Sequence, residues 1–207
     1  MKSGFITLEG IDGCGKSSLT GELVKRLAAA GFSVELTLEP TRTWLGDAVR
    51  RSYTEEINPY TEAFLFLADR ATHTDLIRKK MAEGKLVISD RYSDSTVAYQ
   101  AALLQHKLGG DSRDYMKWLL EISQPVILKP DVTLLLDIDP EKSLARLGNR
   151  TELEKFENME NLRQVRQNYL DLAANSDVIH VIDASESKDV VLEAVIGVIG
   201  KNFDVKL

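Results

Sequence analysis

Cysteine is nearly absent from this chain, which contains a single one, Cys14, among its 207 residues. One cysteine excludes an intramolecular disulfide and a zinc site built from cysteines. The chain also lacks an apolar run long enough to cross a membrane, and Lys2 leads directly into a strand-like pattern without a signal-peptide core. These absences predict a cytoplasmic protein with no membrane partner.

The chain has fewer basic than acidic residues, 26 against 32, and its net charge is −6. Proteins that bind nucleic acid broadly are usually basic, so no nucleic-acid partner is expected. An anionic substrate is still compatible with this balance, provided that positive charge is gathered in one cleft. The length of 207 residues predicts a single domain, residues 1–207, with a substantial core.

Five short apolar runs, rich in β-branched residues, are typical of strands that are covered on both faces. They span residues 5–9, 33–39, 86–90, 132–138 and 178–183. Helical patterns cover residues 16–31, 59–83, 95–105, 111–122, 140–147, 159–175 and 187–200. This alternation predicts an α/β fold with a five-stranded parallel sheet, the first strand central and helices on both sides. Ligands of such sheets bind beyond the carboxyl ends of the strands.

Three glycines, a lysine and two serines are concentrated in GIDGCGKSS, residues 10–18. The stretch matches G-x-x-x-x-G-K-[ST], and it follows a predicted strand and opens a predicted helix. Glycines allow backbone N–H groups to approach phosphate oxygens, and the N-terminus of the helix adds further donors. The ordinary alternative is a glycine-rich turn that binds nothing. Motif and context together predict a P-loop NTPase fold that binds a purine triphosphate.

Within this loop, Lys16 is expected to reach the β- and γ-phosphates, and the Ser17 hydroxyl is placed to ligate magnesium. Asp90 ends the third predicted strand, where a carboxylate can hold magnesium through water. The alternative for Asp90 is a simple turn aspartate. Arg91 follows it and offers a bidentate donor suited to phosphate. The sequence therefore predicts Mg²⁺ as cofactor and ATP as donor. The ATP-binding residues of the loop are Gly10, Ile11, Asp12, Gly13, Cys14, Gly15, Lys16, Ser17 and Ser18.

Several longer segments resemble the thymidylate kinase family, whose members transfer phosphate from ATP to dTMP. The resemblance covers nearly the whole chain, and the block from Ser89 to Gln100 is more specific than the P-loop. The family usually has EPGGT where this chain has EPTRT, which departs from the pattern. The matching segments are FITLEGIDGCGKSS, EPT (39–41), LGDAVR (45–50), FLFLADRATH (64–73), SDRYSDSTVAYQ (89–100) and FENMENLRQVRQNYLDLA (156–173).

The resemblance implies a role for each residue that matches the acceptor site. Arg50 and Arg91 would hold the acceptor phosphate, Phe66 would stack on thymine, and Arg70 would contact its O4 oxygen. From the residues alone, Phe66 in the core and Arg70 on the surface is the favoured alternative. Asp12 would meet the 3′-hydroxyl or form an Asx turn. The implied dTMP-binding residues are Asp12, Glu39, Arg50, Phe66, Arg70, Arg91, Thr96, Tyr99 and Gln100.

A polar segment, about residues 146–158, is expected to act as a lid over the nucleotides. Gly13 stands where some members of the family carry a loop arginine, so the resemblance assigns the transferring phosphate to Arg150, with Lys155 second, and adenine stacking to Arg146. The alternative is that Arg150 and Lys155 are solvated charges. The implied catalytic residues are Lys16, Asp90, Arg91 and Arg150, with Ser17 and Asp90 on the metal, and the family implies a homodimer.

Three other functions compete with this interpretation. A regulatory P-loop switch would need a guanine-binding N-K-x-D stretch, which the sequence lacks. An inactive binding module would have lost Lys16, Asp90 or Arg91, and all three are present. A kinase for another nucleoside monophosphate, or for several, stays open because base choice depends on few contacts.

Overall fold

The fold is built on one parallel sheet, seen in a computed structural model that describes residues 3–147 and 159–205. Its strands are β1 (Gly4–Glu9), β2 (Val34–Leu38), β3 (Leu86–Asp90), β4 (Val132–Asp137) and β5 (Ile179–Asp183). The helices are α1 (Lys16–Ala29), α2 (Trp44–Ser52), α3 (Pro59–Ala82), α4 (Ser93–Leu108), α5 (Ser112–Ser123), α6 (Pro140–Leu147), α7 (Met159–Ala174) and α8 (Lys188–Phe203), and a 3₁₀ turn spans Gln124–Val126.

The strand order is β2-β3-β1-β4-β5 and every pair is parallel, which confirms the predicted α/β fold with a central first strand. All six residues of β1 are buried, whereas the edge strands β2 and β5 are partly exposed. In the register, Leu8 pairs with Asp90 and Glu9 with Leu135. The carboxyl ends of the three inner strands therefore meet at one edge of the sheet.

Helices cover both faces of the sheet, as predicted. On one face α1 packs against α8, and on the other α3, α4 and α7 pack together with α5 outside α4. The crossover from β1 to β2, which contains α1, runs across the sheet in the opposite direction to the later crossovers that contain α3, α4 and α7. Right-handed crossovers in opposite directions place their helices on opposite faces of the sheet. The stripe of Leu19, Leu23 and Leu27 buries one side of α1. Within residues 3–147 and 159–205, no helix has the length and apolarity that crossing a membrane requires.

Helix ends follow local signals in most cases. The Asn58 side chain accepts from the Tyr60 N–H at the start of α3, and that of Asp111 caps α5. Helix α4 begins at Ser93 rather than at the predicted residue 95 and, like α1 and α2, has no side-chain cap from its own N-cap residue. The N–H of the preceding Tyr92 donates instead to a carboxylate oxygen of Glu9, 2.8 Å away, on another strand.

The loop between β2 and α2 is packed tightly against its neighbours. The carboxylate of Asp69, on α3, accepts from the Thr41 N–H at 2.7 Å and also from the Thr41 hydroxyl. On the other side, a Cβ added at Gly46 in α2 would lie 1.9 Å from the Thr41 carbonyl oxygen. Thr41 is thus held between α2 and α3, with no room for a further methyl group.

We expect opposite effects from two glycine-to-alanine substitutions in helices. Gly46→Ala should lower the free energy of unfolding by about 1–3 kcal/mol, because backbone must move to admit the methyl group. Gly21→Ala, in α1, should raise it by about 0.5–1 kcal/mol, because a Cβ there meets nothing within 4 Å. Urea unfolding of both variants measures the difference, and equal stabilities would contradict the tight packing at Thr41.

Candidate functional site

A cavity of about 700 Å³ opens at the carboxyl ends of the strands. Its walls bring together the predicted loop residues 12–18 with Glu39, Asp90, Arg91 and Arg146. Lys188, at the start of α8, also lines it and carried no signal in the sequence. The cavity therefore gathers most of the residues predicted to bind ATP and metal. Its lining carries four basic side chains beside three acidic ones: Lys16, Arg91, Arg146 and Lys188, and Asp12, Glu39 and Asp90.

The backbone of the loop depends on its glycines. Gly10, Gly13 and Gly15 have φ angles of 134°, 77° and 106°, in the region that favours glycine. A Cβ at Gly10 would lie 2.5 Å from the Leu136 carbonyl oxygen, and one at Gly13 would lie 2.7 Å from that of Ser143. The loop is therefore pressed against β4 and α6. Within it, the Cys14 N–H donates to the Ile11 carbonyl oxygen at 3.3 Å and the Ser18 N–H donates to the Gly15 carbonyl oxygen at 3.1 Å.

Lys16 bonds to the loop that carries it. Its ammonium donates to the carbonyl oxygens of Gly10 and Ile11, at 3.0 and 3.3 Å, and to Cys14 Sγ at 3.5 Å. The Lys16 side chain is only 7% exposed and Cys14 is buried. Because Lys16 also lines the cavity, an anion there could replace these acceptors by its own oxygens.

Asp90 and Ser17 have the chemistry of a magnesium site. Asp90 Oδ1 is buried and has no hydrogen-bond partner among the described residues. Ser17 presents an exposed hydroxyl in the lining of the same cavity. Mg²⁺ prefers oxygen ligands and usually retains water or phosphate in its coordination shell. A carboxylate oxygen and a hydroxyl oxygen in one cavity are ligand types that Mg²⁺ takes beside water and phosphate. Within the described residues no group of three or more His, Cys, Asp or Glu could hold a metal ion.

Arg91 joins the loop to α4. Its Nη1 donates to the Gly10 carbonyl oxygen and to Ser95 Oγ, both at 3.1 Å, and its Nη2 forms an ion pair with Asp12. The guanidinium lies 5.0 Å from the centre of the Tyr99 ring, and the Tyr99 hydroxyl donates to Asp12. Burial alone would raise the pKa of Asp12, but the charges of Arg91 and Lys16 outweigh it and lower that pKa.

Two facing stripes on α3 and α4 contain the residues expected to contact a base, which are Phe66, Arg70, Thr96 and Gln100, and also Glu62, for which nothing was expected. Glu62, Phe66 and Arg70 are spaced four apart on α3, as are Thr96 and Gln100 on α4. Arg70 Nη2 donates to Thr96 Oγ1 at 2.7 Å, and Gln100 Nε2 donates to Glu62 Oε1 at 3.3 Å. The two helices therefore run in opposite directions here, with Phe66 at the level between the two contacts.

Arg70 is fully buried, so its alternative placement on the surface was wrong. Its Nη2 is saturated by Glu39, Thr96 and the Tyr92 carbonyl oxygen. Its Nε and Nη1, and Gln100 Oε1, are buried without a partner among the described residues. Each such atom costs about 1–3 kcal/mol. A ligand edge with matching polar atoms would recover that cost.

The remaining predicted residues occupy other positions. Arg50 lies on α2 and donates to the carbonyl oxygens of Pro40 and Thr41, at 3.1 and 2.7 Å, and to Asp47. Arg146 lies in the last turn of α6 and donates to the carbonyl oxygen of Ala184 at 2.8 Å. Arg50, Phe66, Arg70, Thr96, Tyr99 and Gln100 do not belong to the described cavity lining. Arg150 and Lys155 lie outside the described residues.

Sequence reasoning missed a buried polar cluster around Glu9. The Glu9 carboxylate accepts from the Ser95 hydroxyl and, at 3.0 Å, from the Tyr169 hydroxyl on α7. Burial raises the pKa of Glu9 in spite of these hydrogen bonds. A glutamate at the end of an apolar run could have pointed to Glu9 in the sequence. Tyr169 is distant in sequence, and no sequence pattern pointed to its contact with Glu9.

We expect stability to depend on pH through Asp94, in the first turn of α4. Burial and then repulsion by Glu9 raise the pKa of Asp94 from 3.8 to about 7. The folded state therefore binds more protons than the unfolded state between these values, and stability falls as pH rises across the window. Asp94→Asn should remove this fall and make the variant relatively more stable at pH 8 than at pH 5. Unfolding midpoints over that range test it, and parallel curves for both proteins would contradict it.

Comparison with known proteins finds a family model that matches most of this chain. A family model described as Thymidylate kinase matches residues 8–195. A protein named probable thymidylate kinase from Methanococcoides burtonii is 42% identical over 205 residues, with 96% of this chain and 99% of the relative covered. Proteins with the same name from Methanoculleus marisnigri and Thermococcus kodakarensis are 44% and 38% identical, over 93% and 94% of this chain and 92% and 96% of the relatives.

Proposed function

Because the chain belongs to the thymidylate kinase family, we propose that its cleft transfers the γ-phosphoryl group of ATP to dTMP, with magnesium as cofactor. The observation that carries the choice of acceptor is the set of unpartnered buried atoms between α3 and α4. Arg70 offers the donors Nε and Nη1, and Gln100 offers the acceptor Oε1.

These atoms complement thymine and oppose cytosine. Thymine presents an acceptor at O4 and a donor at N3–H, whereas cytosine has an amino donor at position 4 and an acceptor at N3. Arg70 would donate to O4, and Gln100 would accept from N3–H. Phe66, at the level between the two contacts, is the stacking plane we assign to the ring, and Thr96 holds Arg70 in place. Uracil shares both groups, so dUMP would be distinguished by the missing methyl group alone.

The ATP half of the proposal rests on the loop and on α6. Residues 10–18 surround the phosphates, and Lys16 turns from the loop carbonyls to the β- and γ-phosphate oxygens. Arg146, held by the Ala184 carbonyl oxygen, stacks on adenine. Ser17 and Asp90 would hold magnesium, which neutralises charge on the phosphate oxygens when bound.

The acceptor half places the sugar and phosphate of dTMP near Asp12 and Arg91. Asp12 would meet the 3′-hydroxyl, with Tyr99 beneath the sugar and Glu39 beside it in the cavity wall. Arg91 and Arg50 would hold the phosphate, whose charge of about −1.5 to −2 makes a general base unnecessary. We assign the remaining positive charge to Arg150, since Gly13 supplies none. Positioning and charge stabilisation then provide most of the catalysis.

We also propose a cytoplasmic homodimer, as the family resemblance implies. Phe64 and Leu76, on α3, are exposed apolar side chains that a second copy of the chain would cover. Sedimentation equilibrium measures the mass directly, and a monomer at micromolar concentration would contradict this part of the proposal.

We expect the wild-type enzyme to prefer dTMP over dCMP by about tenfold to more than a hundredfold in kcat/KM. The reason is that cytosine sets its amino donor against Arg70, and one buried mismatch costs about 1–3 kcal/mol. An ATP-coupled assay over dTMP, dUMP, dCMP, UMP, AMP and GMP measures it. Equal use of dTMP and dCMP would favour the alternative of a kinase with several acceptors.

We expect Lys16→Ala and Asp90→Asn each to lower kcat by at least about a hundredfold, because each removes charge placed on the phosphates or on their metal ion. Steady-state kinetics with circular dichroism separate this loss from misfolding. Lys117→Ala, an exposed lysine on α5, is the matched control and should leave kcat unaltered. Normal turnover in either site variant would refute the assignment of the site.

A further inference from the structure

The side-chain amide of Gln100 has two ends of opposite hydrogen-bonding character, and only one of them faces Glu62. Gln100 is fully buried, and its Nε2 donates to Glu62 Oε1 at 3.3 Å. Its Oε1 lacks a partner among the described residues. Rotating the amide by half a turn would set Oε1 against the carboxylate, placing two acceptors face to face. Glu62 therefore selects the orientation that leaves an acceptor free.

Glu62 is suited to this selection by its own position. It is fully buried in the first turn of α3, where the N-terminus of a helix favours negative charge. An ionised carboxylate only accepts hydrogen bonds, whereas a glutamine side chain both donates and accepts. A buried glutamate at this site thus holds Gln100 in one orientation, which a neutral amide of the same size would not do.

We propose that Glu62 is a positioning residue that determines base specificity through Gln100, without touching the base itself. By keeping Gln100 Oε1 turned toward the base, it selects pyrimidines that carry a hydrogen on N3 and rejects those with an unprotonated N3. This inference rests on the proposed function, because it assumes that Arg70 and Gln100 contact the acceptor base. It assigns position 4 of the ring to Arg70 and position 3 to the Glu62–Gln100 pair.

The test compares kcat/KM for dTMP with kcat/KM for dCMP in Glu62→Gln. The new amide can present its NH₂ group to Gln100, which then turns its own Nε2 toward the base and donates to cytosine N3. The dTMP-to-dCMP ratio should fall by about tenfold, the size of one mispaired hydrogen bond. Glu121→Gln removes the same charge from an exposed position on α5 and should leave the ratio unaltered.

A swapped pair supplies the rescue. In the double variant Glu62→Gln with Gln100→Glu, the amide at position 62 donates to the carboxylate at position 100, whose other oxygen still only accepts. The ratio should return to within about threefold of wild type, which a purely structural role for Glu62 does not predict. Circular dichroism confirms folding, and if Glu62→Gln does not fold, the ratio of the swapped variant decides the matter.

Each outcome bears on one proposal or the other. A wild-type ratio in Glu62→Gln, or a swapped variant that fails to restore the ratio, would overturn the role of Glu62. A wild-type enzyme that does not phosphorylate dTMP would overturn the proposed function and this inference with it. If the wild-type enzyme and Glu62→Gln prefer dTMP over dCMP to the same extent, the proposed function stands and only the positioning role of Glu62 is refuted.

Discussion

The carboxylate of Glu9 is the contact on which the arrangement of the cleft depends. It lies at the end of the central strand, directly before Gly10, and accepts from the Tyr92 N–H, the Ser95 hydroxyl and the Tyr169 hydroxyl. One buried group thus fixes β1, the start of α4 and α7 relative to one another. Because β1 leads into the loop of residues 10–18 and α4 carries Thr96 and Gln100, the distance between that loop and these side chains depends on this contact.

A second buried carboxylate organises the other side. Glu39 accepts from Arg70 and lies 2.8 Å from His73 Nδ1, while His73 Nε2 lies 2.6 Å from the Thr37 hydroxyl. Buried charges are costly unless they are paired and hydrogen-bonded. Glu39 and His73 have partners here, and Arg70 is paired through Nη2, while its Nε and Nη1 have none among the described residues. The end of β2 is therefore tied to α3, and Arg70 is held by neighbours that do not depend on any ligand.

Local sequence patterns were enough to predict the elements that form from neighbouring residues. Apolar runs that alternate along the chain with helical patterns predicted the sheet, and the spacing of the glycines before Lys16 predicted the loop. Local sequence patterns did not predict contacts between distant segments. The start of α4 is an example, because its cap is Glu9, which lies on a strand. The burial of Arg70 followed from family resemblance and not from spacing, since helical periodicity does not reveal what a neighbouring helix offers to a charged group.

The hydrogen bonds that Lys16 makes within its own loop have a thermodynamic consequence. With its ammonium on the carbonyls of Gly10 and Ile11, the loop is ordered before any nucleotide arrives. An anion bound at Lys16 would replace the carbonyl oxygens by its own oxygens, and the loop itself would lose little further conformational entropy. Under the proposed function, the contribution of Lys16 to ATP affinity is the difference between a phosphate oxygen and a carbonyl oxygen as acceptor for its ammonium group. Salt would weaken that contribution, because it screens the charge of the phosphate.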